Sequence, residues 1–174
     1  MKPLPNRVAF YDFQCSAQKS VSIMALLVDE RLRKAHEEAV RVAFRELEQF
    51  ASRQKNTLTA RDWEFTGNLC AAAFTHDASC ALDPQLHTHF VIANATRSAE
   101  GRWYALEECH IYKAVRYAGK VYQNELAAAV RKRGYEIREA RGKTSEVTGF
   151  EIEDVPDELC ERFSNRREEI EKAI

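Results

Sequence analysis

Two long stretches of this sequence repeat apolar residues at intervals of three and four, and the segments between them suit only short strands and turns. From Asp29 to about Gln54, residues Leu32, Ala35, Ala39, Val42, Ala43, Leu47 and Phe50 fall on one helical face, with Glu37, Glu38, Arg41, Arg45 and Glu48 on the wetter side. From Glu107 to about Arg133, Ile111, Ala114, Val115, Ala118, Val121, Tyr122, Leu126, Ala129 and Val130 repeat the pattern, and Gly134 is a natural stop. Around these helices lie runs with strand character. VAFYDFQCS (Val8 to Ser16) alternates β-branched and aromatic residues, and HTHFVIANAT (His87 to Thr96) is rich in Val, Ile, Phe and Thr. EFTGNLCAAAFT (Glu64 to Thr75) reads as a strand, and WYAL follows a turn at Gly101, so the middle of the chain is expected to be a three-stranded meander.

The remaining elements are shorter. SAQKS is expected to cap a helix from Val21 to Leu27 at Ser16, and QKNTLTARD reads as a polar connector. YEIREAR and GFEIEDV read as two strands across a polar turn, and Pro156 opens a helix expected to run to the end of the chain. Helices and mainly antiparallel strands in blocks give α+β: a two-layer sandwich with a central sheet of about five strands and helices packed on it.

At 174 residues the chain fits one domain. No apolar run reaches the roughly 18 residues of a membrane span, and the opening MKPLPNRVAFYDF lacks the apolar core of a signal peptide, so a cytoplasmic protein is expected. Five scattered cysteines without a CxxC pair read as free thiols, small and buried. The net charge of −1 does not by itself announce a nucleic-acid binder. Local clusters exist at Arg131-Lys132-Arg133, at Arg138, Arg141 and Lys143, and at Arg166-Arg167; a solvated helix face accounts for runs of that kind.

The chemistry concentrates in HDASCALDPQLHTH, His76 to His89, which holds three of the five histidines. On a strand, His87 and His89 point to one face, roughly 6.5 Å apart, and an adjacent strand about 4.8 Å away can bring His76 beside them. DASCALDPQL between them reads as a loop because of Asp83 and Pro84. Three neutral imidazoles would leave open positions on a bound ion for water or phosphate. Spacing alone leaves a second reading, one core histidine and two surface ones. No HExxH motif and no Walker-type glycine loop is present, so neither a zinc protease nor a P-loop enzyme is indicated.

HDASCALDPQLHTHFVIANAT resembles the three-histidine motif of the MobF-type conjugative relaxases, the TrwC/TraI-like members of the HUH endonuclease class. FYDFQCSAQKSVS resembles the strand and turn that carry the family's acidic residue and SxxKS signature. TGNLCAAAFTHD, GRWYAL, YAGKVYQNELAAAVRKRGYEI and GFEIEDVPDELCERFSNRREEIE match later pieces in order, so the resemblance covers nearly everything from Val8 onward.

The resemblance implies metal-dependent, strand-specific nicking and strand transfer of single-stranded DNA at a plasmid transfer origin. A tyrosine hydroxyl attacks the scissile phosphate, leaving a 5′-phosphotyrosine and a free 3′-OH. By position it implies His76, His87 and His89 as ligands of a divalent ion, and Asp12 as the acidic residue that orients a ligand histidine or takes the nucleophile's proton. Imidazole suits Zn or Mn, and Ni, Co or Cu, with Mg a poorer match. Ser16 and Lys19, at the expected helix start, suit a DNA phosphate. Phe13, Trp63 and Trp103 could stack on bases, though a core position is the stronger expectation for each. Implied partners are single-stranded DNA, a helicase further along the polypeptide and other relaxosome proteins, in a bacterial cytoplasm.

Several features depart from the family pattern. Gln18 and Cys80 stand where Pro and Arg are expected, the second removing a cation beside the DNA path. The family's nucleophilic tyrosines precede the segment matched by the start of this sequence. Residues 1–174 are therefore expected to be a single, incomplete relaxase domain, without its first strand, its tyrosine or the C-terminal helicase region. Tyr11 is expected to face away from Asp12, and Tyr117 and Tyr122 are expected in the core. Three functional readings follow. The chain is an enzyme domain needing a tyrosine from elsewhere, or a remnant that only binds metal and DNA, or a small metal hydrolase using activated water.

Overall fold

The structure is a computed structural model and describes residues 8–56, 61–141 and 147–164. The chain runs β1 (Phe10–Ser16), α1 (Lys19–Leu27), α2 (Arg31–Glu48), β2 (Ser52–Asn56), β3 (Arg61–Phe65), β4 (Ala71–Ala78), β5 (Pro84–Ala93), β6 (Thr96–Arg97), β7 (Trp103–Tyr104), α3 (Glu108–Lys132), β8 (Ile137–Arg141), β9 (Val147–Ile152) and α4 (Asp157–Arg162). The α+β class expected from the sequence is what forms, but among the described residues the central sheet has three strands rather than about five, and WYAL, expected in a meander with the histidine strand, pairs through Trp103–Tyr104 with Thr96–Arg97 instead. The central sheet is antiparallel, in the order β1-β5-β4, and β2-β3, β6-β7 and β8-β9 pair as separate two-stranded ribbons. Among the described residues no helix is long and apolar enough to cross a membrane.

The helices cover one face of the central sheet over β1 and β5, while the edge strand β4 is exposed along its length. Phe13, Cys15, Leu86, Phe90 and Ile92 join Leu32, Ala35, Ala39, Ala43 and Leu47 of α2 and Ile111, Ala114, Ala118, Tyr122, Leu126 and Val130 of α3 in one buried cluster. These are the helical positions that the spacing had marked, because a helix stripe and a sheet face can lose water only against each other.

Boundaries differ from those expected in four places, in three of them because strand pairing overrides local pattern. The second helix stops at Glu48, and Ser52–Asn56, expected as helix and connector, is a strand because it pairs with Arg61–Phe65. The run from Glu64 to Thr75 is two strands: Gly67, at φ +62°, turns the chain, while Thr66 donates its N–H and hydroxyl to the Ala51 carbonyl. The expected loop between His76 and His87 is a short turn, with β4 running to Ala78 and β5 starting at Pro84. Ser79 Oγ accepts N–H bonds from Ala81 and Asp83 at 3.2 Å each, closing that turn. Pro84 is tolerated because the first residue of a strand can lack a donor. The final helix, expected to run on to the end of the chain, stops at Arg162: Phe163 is a turn and Ser164 lies beyond it, and residues 165–174 are outside the described residues.

Ser16 is the last residue of β1 rather than a helix cap. Gln18 stands at the N-cap of α1 without a side-chain capping bond. The cysteines are free as expected, but only Cys15 is buried; Cys70, Cys80 and Cys109 are exposed.

Candidate metal and DNA site

The register of the central sheet builds the site. His87 lies opposite His76 on β4 and opposite Ser16 on β1; His89 lies opposite Phe74 and Gln14; Val91 lies opposite Asp12. Residues directly opposite share a face, and residues two apart on one strand share it too. Asp12, Gln14, Ser16, Phe74, His76, His87 and His89 therefore stand on the side of the sheet away from the helices. Asp12, Gln14, Phe74 and His76 are exposed there, and His87 is buried at the centre of the row.

The three rings gather closely. Centroid separations are 5.2 Å for His76–His87, 5.2 Å for His87–His89 and 5.8 Å for His76–His89. A tetrahedral ion at about 2.0–2.1 Å from each ring nitrogen would hold imidazole centroids roughly 5 Å apart. Among the described residues no three His, Cys, Asp or Glu side chains converge as a ready-made ion site, and His76 and His87 lie nearly parallel, at 23°. Ring spacing is the better guide, because rotation about the side-chain torsions re-aims a nitrogen while the strands stay in register.

The hydrogen bonds decide which nitrogen is available. His87 Nδ1 is 2.9 Å from the Gln85 carbonyl, which can only accept, so Nδ1 carries the proton. His89 Nδ1 lies 2.8 and 3.0 Å from the two carboxylate oxygens of Asp12, and donates likewise. In the neutral rings both Nε2 atoms then keep lone pairs, the form in which imidazole binds a metal. The donor set fits a divalent ion: three imidazoles on one face, two of them with tautomers set by outer partners.

The other candidate residues are placed as follows. Ser16 shares the histidine face, and its hydroxyl accepts from Gln14 Nε2 at 2.9 Å. Lys19 turns its ammonium to the Pro84 carbonyl at 3.1 Å, and burial lowers its pKa from the ordinary lysine value. Phe13 is core, as expected, but Trp63 and Trp103 are exposed, against expectation: both sit on two-stranded ribbons outside the central sheet, and Trp63 is covered only along one edge, by His110 of α3. Much of the basic cluster is paired: Arg133 with Glu38, Arg138 with Asp157, Arg141 with Glu139. Lys143, Arg166 and Arg167 lie outside the described residues.

All six tyrosines are described, and each has its place away from the histidine row. Tyr11 donates to Glu108 at 3.3 Å on the helix side of β1. Tyr122 is buried as expected, with its hydroxyl 2.7 Å from His36 Nδ1. Tyr117, expected in the core, is half exposed and donates to Glu46 at 2.8 Å; α3 turns it away from the sheet. Tyr135 donates to Asp29 at 2.8 Å, Tyr104 packs under the Arg53 guanidinium at 4.0 Å, and Tyr112 stands edge-on to Tyr11.

Two neighbours of the site escaped the sequence reading. Phe74 is half exposed directly across from His89, and its position two residues before His76 on a strand could have identified it. His36, fully buried on α2, lies beneath the histidine strand; its spacing, four residues after Leu32 and three before Ala39, puts it on the apolar stripe and could have identified it.

The TrwC relaxase family model matches residues 2–174. The chain belongs to the TrwC relaxase family. It is 42% identical over 178 aligned residues to the multifunctional conjugation protein TraI of Escherichia coli and 40% identical over 171 to the TraI of strain K12, covering 94% of this chain and 10% of each TraI. Among solved structures, the conjugative relaxase TrwC in complex with oriT DNA matches in a copper-bound form and in a metal-free form, each with TM-score 0.86 and 38% identity. TrwC with a 27-mer DNA comprising the recognition hairpin and the cleavage site matches with TM-score 0.85 and 38% identity. The chain spans about a tenth of the length of the TraI proteins and 55–57% of the solved TrwC chains.

Proposed function

We propose that this chain carries the metal- and DNA-binding face of a relaxase that nicks and rejoins one strand of DNA at a conjugative transfer origin. The observation that carries the reading is the pair of Nδ1 hydrogen bonds, His89 to Asp12 and His87 to Gln85, which leaves two Nε2 lone pairs beside His76 on one open sheet face. His76, His87 and His89 would hold a divalent ion, which when bound supplies Lewis-acid polarisation of a phosphate oxygen. Asp12 fixes the tautomer and aim of the His89 ring, so its role is orientation. Ser16, on the same face, can donate to a phosphate oxygen, and Lys19 can do so once it leaves the Pro84 carbonyl. TrwC structures that contain metal and oriT DNA support both assignments by similarity. Single-stranded DNA is thus the proposed partner, and Phe74 offers a ring for a base to stack on.

The nucleophilic hydroxyl is proposed to come from outside the segments that hold Tyr11, Tyr104, Tyr112, Tyr117, Tyr122 and Tyr135, since each of these packs elsewhere. The same observation favours a second reading, in which the chain alone binds metal and DNA without forming a covalent link. Calorimetric titration of the metal-free protein with Mn²⁺ and Zn²⁺ tests the shared claim. One-to-one binding that His87→Ala abolishes is the expected result; binding indifferent to that change withdraws the metal site. A covalent adduct with an oriT oligonucleotide, formed by these 174 residues alone, would refute both readings.

A further inference from the structure

Beneath the histidine row lies a chain of hydrogen bonds, buried from Tyr122 to Thr88 and reaching the surface at Thr75, that the proposed reaction does not use. His36, on α2, is fully buried. Its Nδ1 lies 2.7 Å from the Tyr122 hydroxyl on α3, and its Nε2 lies 2.9 Å from Thr88 Oγ1 on β5. Thr88 Oγ1 is also 2.9 Å from Thr75 Oγ1, its register partner on β4. Thr88 separates His87 from His89, and Thr75 precedes His76. One hydroxyl therefore ties together the backbone positions flanking all three histidines, and a single imidazole ties that hydroxyl to two helices.

A buried imidazole is costly unless both nitrogens are paired. Here each faces a hydroxyl that can donate or accept, so the ring is satisfied in either tautomer. A leucine would fill the same space without that cost, so the polar ring contributes something other than packing. Metal affinity depends on ligand rings being held before the ion arrives, and groups outside the ligand set that hold them are worth roughly 10- to 100-fold in affinity.

We infer that His36 is a positioning residue for the three-histidine face, holding β5 at Thr88 so that His87 and His89 keep their Nδ1–H tautomers and their common aim. The inference rests on the metal reading above for its effect on affinity, but not for its effect on the rings.

The test uses three variants of this chain. His36→Leu removes both bonds. His36→Gln keeps an amide within reach of Thr88 and gives up the Tyr122 bond. Tyr122→Phe disturbs the same core and leaves the Thr88 bond intact. Imidazole nitrogen shifts in the metal-free protein at pH 8 read the tautomers, and Mn²⁺ titration reads the affinity. The expected result is Nδ1–H at His87 and His89 in wild type, His36→Gln and Tyr122→Phe, and mixed tautomers in His36→Leu with roughly tenfold weaker Mn²⁺ binding. Unchanged tautomers or unchanged affinity in folded His36→Leu overturns the inference, as does an equal change in Tyr122→Phe. If His36→Leu does not fold, Thr88→Val takes its place with the same readouts. If the wild type binds no Mn²⁺, the metal reading fails, and the tautomer pattern alone decides the role of His36.

Discussion

The two faces of the central sheet are made by the same three strands, one residue out of step. On β1, Phe13 and Cys15 point into the helices and are buried, while Asp12 and Gln14 point out and are exposed. On β5, Thr88, Phe90 and Ile92 face α2 and α3, and His87 and His89 face outward. The covered face gains stability by removing apolar surface from water. The open face keeps paired polar groups poised for a ligand. The same backbone serves both because side chains alternate, so a change on one face reaches the other mainly through the register of the strands.

That contrast makes a graded set of expectations. The largest effect belongs to the covered face. Ile92→Ala, in a fully buried position, is expected to cost about 2–5 kcal/mol in denaturant unfolding. Where the variant still folds, Mn²⁺ affinity should fall little; a selective loss of affinity with stability intact would break the division between faces.

Next comes acid. Burial first, then the His87 and Arg33 charges, lower the His36 pKa from 6.5 to about 4. The unfolded chain takes up this proton before the folded one does. Stability tied to His36 is therefore complete above about pH 6.5 and is lost as the pH falls towards about 4, by roughly 3 kcal/mol in all. Comparing the stability of wild type and His36→Gln across that window isolates the contribution. Parallel curves would show that His36 does not titrate in this way.

The smallest change in stability is expected on the open face. Asp12→Asn removes a carboxylate that is more than half exposed, so unfolding should shift by less than about 1 kcal/mol. Exchanging the charged acceptor behind His89 for a neutral amide, which can also turn its NH₂ towards the ring, should nonetheless weaken Mn²⁺ binding roughly 10-fold or more. Equal metal affinity in wild type and Asp12→Asn would remove Asp12 from the site and leave only the histidines.

The comparison also explains which features could be read in advance. The long helices were legible because each buries a stripe: Leu32, Ala35, Ala39, Ala43 and Leu47 on α2, and Ile111, Ala114, Ala118, Tyr122, Leu126 and Val130 on α3. The histidine row was legible because its geometry is that of two neighbouring strands. Ser52–Asn56 was not, since SRQKN has no strand preference of its own and is a strand only through Arg61–Phe65. Trp63, Trp103 and Tyr117 were misjudged for a related reason: a large aromatic is buried only if it is covered on all sides, and Trp63, with one edge on His110 of α3, and Tyr117, on the outer side of α3 beside Glu46, are covered only in part, while Trp103 stays exposed.

By itself, the sequence determined that His87 and His89 share a face, that Asp12 and Tyr11 do not, and that two amphipathic helices must cover a sheet. These follow from periods of 2.0 and 3.6, which are local. Only the tertiary structure decided that His76 stands across from His87, that the Asp12 carboxylate meets the His89 ring, that His36 lies beneath the row, and that all six tyrosines are turned elsewhere. Those contacts join residues dozens of positions apart. They depend on strand register and on where helices land, quantities that the pattern of neighbouring residues does not contain.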